Sequence, residues 1–284
     1  MARSKLTVVS LLRIFRWKNL LIILATQYLS AFCLIEGQMI DDLFKNTDLL
    51  ILSLSTIFIA AAGYVINDYY DIKIDYVNRP KRVVVGRFLK RRAILFLHAG
   101  LNALGVLGGL YLSWQIGLVN FMAAGLLWLY SNQLKRLPFW GNLSVALLTG
   151  LAVFVVYILF RQSLFLFAAY SFFAFFISLI REIIKDLEDI EGDRKFDCKT
   201  LPIVLGQRKT KIIIYLISVI FILIVAFLLQ KEPKFWYVLG GLTLMLGLLN
   251  FILGRADKTV DYANLSRLSK QIMILGLISM IFLK

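Results

Sequence analysis

Two short stretches hold more than half of the chain's 17 acidic residues. One reads NDYYDIKID and supplies Asn67, Asp68, Asp71 and Asp75. The other reads REIIKDLEDIEGD and supplies Glu182, Asp186, Glu188, Asp189, Glu191 and Asp193. On a helix, side chains three and four positions apart share a face. Asp68, Asp71 and Asp75 therefore form one carboxylate stripe, and Asp186, Asp189 and Asp193 repeat it, with Glu182 one turn earlier. Glu188 and Glu191 point elsewhere, towards water. Like charges this close repel, and more strongly near a medium of low dielectric. A hard divalent cation relieves that repulsion, and Mg²⁺ is typically held by one or two carboxylates together with substrate phosphates. The spacing thus points to a metal site of Asp68, Asp71, Asp75, Asp186, Asp189 and Asp193, holding at least two Mg²⁺ ions bridged by a diphosphate.

A single DxxD pair is an ordinary charged helix end. Two copies with the same spacing are harder to read that way. Basic residues flank both: Arg79, Lys81 and Arg82 follow the first, and Arg181 and Lys185 lie within the second. The sequence YSNQLKR adds Tyr130, Lys135 and Arg136 between them. Such donors suit the diphosphate oxygens that metal ions leave uncovered. Each is equally well explained as a charge anchoring a membrane protein.

The elements that must carry these groups are apolar. The chain has 284 residues, 60% of them hydrophobic and 17% charged, with a mean hydropathy of +0.79. Soluble domains average about 45–50% apolar and about 25% charged, so a water-soluble fold is excluded as the starting assumption. Disorder, collagen-like repeats and a disulfide scaffold fail on the same composition. Continuous apolar runs exclude a transmembrane β-barrel, which alternates. Nine runs are long enough to span a bilayer: about 19–36, 48–66, 93–113, 115–131, 142–160, 164–182, 212–230, 235–254 and 266–283. The expected fold class is all-α: a polytopic bundle of nine transmembrane helices forming one domain over residues 1–284. Residues 1–18 read as a basic interfacial segment without a cleaved signal.

The net charge of +15 invites a nucleic-acid partner, but its placement argues for a membrane. With the N-terminus in the cytoplasm, only Lys45, Arg161, Lys231, Lys234 and Lys284 fall on the outer side. That is the positive-inside pattern, and it predicts an N-in, C-out topology with both acidic stretches facing the cytoplasm. An ion-coupled transporter would place its acids near mid-membrane, and these sit at one end. Cys33 and Cys198 fall on opposite sides and are not expected to pair. His98, the sole histidine, is assigned a packing role.

These motifs resemble those of the UbiA superfamily of intramembrane prenyltransferases. NDYYDIKID matches the family's NDxxDxxxD signature without departure, and KDLEDIEGD resembles its second, DxxDxxxD. The Tyr…Lys element matches at Tyr130 and Lys135, and the likeness covers most of the chain. The resemblance implies a helical bundle around a central cavity open to lipid, with Mg²⁺ binding an isoprenyl diphosphate. It places Asp71, Asp75, Asp189, Asp193 and Tyr130 at the reacting centre. It adds Asn67 to the metal ligands, and it implies Asn67, Arg79, Arg82, Lys135, Lys185 and Asn19 as diphosphate contacts. The donor would ionise to an allylic cation that a lipid-soluble acceptor attacks. REIIKDLEDIEGD followed by KTLPIVLG is similar to the branch that alkylates geranylgeranylglycerol phosphate with a geranylgeranyl group. Aromatic acceptors of quinone synthesis (4-hydroxybenzoate, homogentisate or naphthoate) are the alternative. The implied setting is a prokaryotic cytoplasmic membrane, with no nucleic acid and no obligate protein partner.

Overall fold

The computed structural model describes residues 14–37, 39–72, 85–86, 89–230 and 235–283. Asp75, Arg79 and Arg82 lie outside the described residues, as does most of the 1–18 segment. Among those described, nine helices reach 18 residues or more: α1 (Trp17–Leu34), α2 (Thr47–Tyr70), α3 (Arg91–Leu112), α4 (Trp114–Asn132), α5 (Trp140–Phe160), α6 (Leu164–Glu188), α7 (Gln207–Leu229), α8 (Phe235–Arg255) and α9 (Thr259–Ser279). Short helices occupy Ile40–Lys45, Ile190–Lys195 and Leu201–Leu205. The β structure among these residues is one isolated bridge, Val85 to Leu89.

The fold is therefore all-α, and eight of the nine helices are long and apolar enough to cross a membrane. The exception is α4, whose run 115–131 includes Gln115 and Asn120. Large side chains such as Phe96, Phe121, Leu223 and Phe227 stand exposed, as the surface of an integral membrane protein does when lipid is its solvent. Two helices run several residues past the C-terminal ends of their apolar stretches. The second run ends near 66 by hydropathy but its helix continues to Tyr70, and the sixth ends near 182 but continues to Glu188. Backbone hydrogen bonding does not stop where apolar composition does, so both acidic stretches begin on helix.

The described chain divides into two compact units, residues 1–28 with 40–134, and 29–39 with 135–284. In the first unit α2 packs along α3 and α4. Ser113 alone joins α3 to α4. Its extended backbone donates N–H to Gly109 O (3.0 Å), and its hydroxyl accepts from Ile116 N–H (3.2 Å), closing one helix and capping the next. A Cβ on Gly105 would stand 2.6 Å from the Ile59 side chain and 2.9 Å from Ser55 O; only glycine permits that approach. Buried Asn120 then reaches across, donating to Gly105 O (2.8 Å) and Ser55 Oγ (3.2 Å). Small residues and side-chain amides join helices this way in lipid. His98 has the packing role expected of it, with Nδ1 3.0 Å from Ala62 O and Nε2 3.1 Å from Asn102 Nδ2.

In the second unit α6 is the central helix, packed against α5, α7 and α9. Thr149 and Ser178 hydroxyls meet at 3.2 Å between α5 and α6. Phe173 and Phe176 of α6 hold Phe221 of α7, with ring centroids 5.7 and 5.3 Å apart, distances at which offset and tilted rings attract. No disulfide joins Cys33 to Cys198.

Candidate functional site

The first acidic segment closes α2. The helix ends at Tyr70, and Asp71 is its cap, with φ −89°, ψ 4° and its N–H donating to Asn67 O (3.0 Å). The first two members of the expected carboxylate stripe straddle the end of this helix, and the third, Asp75, lies outside the described residues. Asp68 lies on the helix and Asp71 where it breaks. Asn67 turns its amide onto its own segment, donating Nδ2–H to Asp71 Oδ2 at 2.9 Å. Asp68 pairs with Arg16 at 3.3 Å. The Arg16 guanidinium also lies 4.9 Å from the Tyr64 ring centroid, and Asn19 donates to the Tyr64 hydroxyl at 3.2 Å. Beneath these groups Ile14, Val65, Val85 and Ile94 form a buried apolar cluster on which Tyr69 rests.

The second segment closes α6 in the same way. The helix ends at Glu188 and Asp189 caps it, with φ −96°, ψ 8° and its N–H donating to Lys185 O (2.9 Å). Asp189 also opens the short helix Ile190–Lys195 that carries Asp193. The middle aspartates of the two segments thus share one backbone conformation, in the sparsely populated region between helix and strand. Buried Asn142 of α5 donates Nδ2–H to Asp186 Oδ2 at 2.9 Å. Arg181 pairs with Glu182 at 2.6 Å. Burial pushes the Asp193 carboxyl up to about 6. The Asp189 charge adds to this, while Lys185 and the Thr200 hydroxyl oppose it.

Lys135 and Arg136 form a 3-10 turn between α4 and α5. Lys199 N–H donates to Arg136 O at 2.9 Å, so this turn is held to the loop that follows the second acidic segment. Tyr130 stands half-buried near the end of α4, in the first unit, and Lys185 is exposed on the last turn of α6. Asn19 sits beside Tyr64, as described. Arg16, Tyr64 and Asn142 carry no motif and were missed from sequence. A local signal for Asn142 exists. Trp17-Lys18-Asn19 opens α1, and Trp140-Gly141-Asn142 opens α5. Each follows a non-glycine residue at positive φ, Arg16 (50°) and Phe139 (70°).

The donor set is carboxylate and carboxamide oxygen, which suits a hard cation such as Mg²⁺ rather than a soft one. A carboxyl driven upward by burial and a neighbouring charge, as Asp193 is, is one that a cation would stabilise in its ionised form. Among the described residues no three carboxylate, histidine or cysteine side chains stand together as a complete cage. Mg²⁺ does not require one, because it retains waters and takes substrate phosphates.

The chain resembles known proteins along most of its length. It is 37% identical over 175 residues to a digeranylgeranylglyceryl phosphate synthase of Methanosphaera stadtmanae, an alignment covering 62% of this chain. It spans 64% of that relative's length. A solved structure concerned with digeranylgeranylglyceryl phosphate synthase in membranes superposes with TM-score 0.80 at 22% identity, over 96% of this chain and 97% of that one. A UbiA homolog from Archaeoglobus fulgidus, bound to DMAPP and Mg²⁺, superposes with TM-score 0.70 at 17% identity, over 95% and 98%. At such identities the two structures speak for a shared fold. The model of the UbiA prenyltransferase family matches residues 21–270, and this chain belongs to that family.

Proposed function

We propose that the protein is a Mg²⁺-dependent intramembrane prenyltransferase. It moves a geranylgeranyl group from its diphosphate to the hydroxyl of geranylgeranylglycerol phosphate. One observation carries the reading: two acidic segments end two apolar helices with the same backbone break at the middle aspartate, Asp71 and Asp189. The curated relative's name supports the choice of acceptor.

Asn67, Asp68, Asp71 and Asp75 would form one metal-holding group, and Asp186, Asp189 and Asp193 a second. When bound, Mg²⁺ would stabilise the negative charge that builds on the departing diphosphate. Arg79, Arg82, Lys135, Lys185 and Asn19 donate to its remaining oxygens. The C1–O bond of the donor breaks and the electron pair leaves with the diphosphate. The acceptor oxygen attacks C1, forms the ether bond and loses its proton. Tyr130 lies near the allylic end, where an aromatic face stabilises positive charge. The apolar helices exclude the water that would otherwise capture the cation. The reading includes a single domain with nine spans, N-terminus in and C-terminus out, and a cavity mouth on the cytoplasmic side.

The test is incubation of detergent-purified protein with geranylgeranyl diphosphate and a panel of acceptors, read by mass spectrometry. Transfer to geranylgeranylglycerol phosphate that requires Mg²⁺ is the expected result, and Asp71→Ala or Asp189→Ala should lower its rate by about 10²–10³-fold. Transfer to an aromatic acceptor alone would replace the acceptor assignment. Near-wild-type turnover in both variants would remove the metal roles.

A further inference from the structure

We propose that Asn142 is a positioning residue for Asp186: an amide supplied by α5 that fixes the plane of the first aspartate in the second acidic segment. The proposal rests on the Mg²⁺ reading of that segment.

The two segments differ in how they obtain an amide. In the first, Asn67 immediately precedes Asp68 and donates to Asp71 at 2.9 Å. In the second, the matching position is Lys185, whose long side chain is exposed on the last turn of α6. A lysine ammonium there is a mobile point charge without a planar fork. The amide comes instead from another helix. Asn142 is 6% exposed, and its Nδ2–H reaches Asp186 Oδ2 at 2.9 Å across 44 positions of sequence. A hydrogen bond to one carboxylate oxygen sets the carboxylate plane, and with it the direction of the Oδ1 lone pairs.

The backbone before Asn142 is built to hold it there. Phe139 takes φ 70°, ψ −38° and Trp140 N–H donates to Pro138 O at 2.9 Å. This is a γ-turn of the rare, strained kind. It turns the chain from the Lys135–Arg136 turn directly into α5, and places Asn142 on the first turn of the helix. Further along, the Thr149–Ser178 hydroxyl contact joins α5 to α6 without touching Asp186. Of these two contacts, the one nearer the acidic segment bears on a carboxylate.

The experiment titrates Mg²⁺ into the purified full-length protein with inorganic pyrophosphate and follows the melting midpoint. Wild type, Asn142→Ala, the isosteric Asn142→Asp and the control Thr149→Val are compared. In Asn142→Ala the half-saturating Mg²⁺ concentration should rise by about 10–100-fold, and in Asn142→Asp at least as much, while Thr149→Val responds as wild type does. Prenyl transfer by Asn142→Ala should recover at saturating Mg²⁺, which a general loss of packing would not allow. Should Asn142→Ala fail to fold, Asn142→Asp keeps the volume and decides the matter. If wild type responds to Mg²⁺ and both Asn142 variants respond at the same concentration, the proposal is overturned and the metal reading stands. If wild type shows neither a Mg²⁺ response nor transfer, the metal reading falls and takes this proposal with it.

Discussion

Asp68 and Asp186 are the first aspartates of their segments, alike in spacing along the sequence but with different partners in space. Asp68 meets a charge, Arg16, at 3.3 Å, with side chains 22% and 44% exposed. Asp186 meets a neutral amide. An exposed ion pair contributes little, because water screens it and both side chains lose freedom, so such pairs are typically worth about 0.2–1 kcal/mol. Arg16→Ala should therefore lower stability by no more than about 1 kcal/mol in a denaturation series. A larger loss would mean that Arg16 acts mainly through its contact with Tyr64. The carboxylates were legible in the sequence because type and spacing are local properties. Their partners were not, since they come from 52 and 44 positions away.

Helices α2 and α6 end on the acidic segments, and each is packed along its neighbours. In the first unit this depends on close approach at Gly105, where an added Cβ would meet both a side chain and the Ser55 carbonyl. Overpacking of this sort costs about 1–3 kcal/mol. Gly105→Leu should lower the melting midpoint measurably in detergent, and an unchanged midpoint would show that α2 and α3 can separate without cost. The apolar runs located every long helix, but they misjudged several ends. Besides α2 and α6, α7 begins at Gln207 and α9 at Thr259, earlier than their apolar runs near 212 and 266. Hydropathy reports where lipid would be tolerated, whereas a helix continues for as long as its carbonyls find N–H groups. The short helix at Ile190–Lys195 was invisible for the complementary reason: six residues with a single large apolar side chain, Ile190, have no apolar period to read.

For the molecule in its membrane, the charge distribution makes a claim that one thiol can check. Cys198 lies partly exposed in the loop after the second acidic segment, while Cys33 is buried within α1. With the acidic segments on the cytoplasmic side, a membrane-impermeant maleimide should label Cys198 in inverted vesicles and leave it unlabelled in intact cells. The opposite pattern would invert the topology and move the proposed mouth to the outer face.

Composition and spacing were enough to establish an all-helical chain of long apolar helices and to single out its two acidic segments, because hydropathy and i, i+3, i+4 periodicity are written along the chain. The backbone breaks at Asp71 and Asp189, and the choice of Arg16 and Asn142 as partners, were set by folding. A helix ends where its hydrogen-bond ladder is capped, and a carboxylate takes its orientation from whatever donor another helix brings within 3 Å or so. The choice of such a distant donor is not a property of the neighbours in sequence.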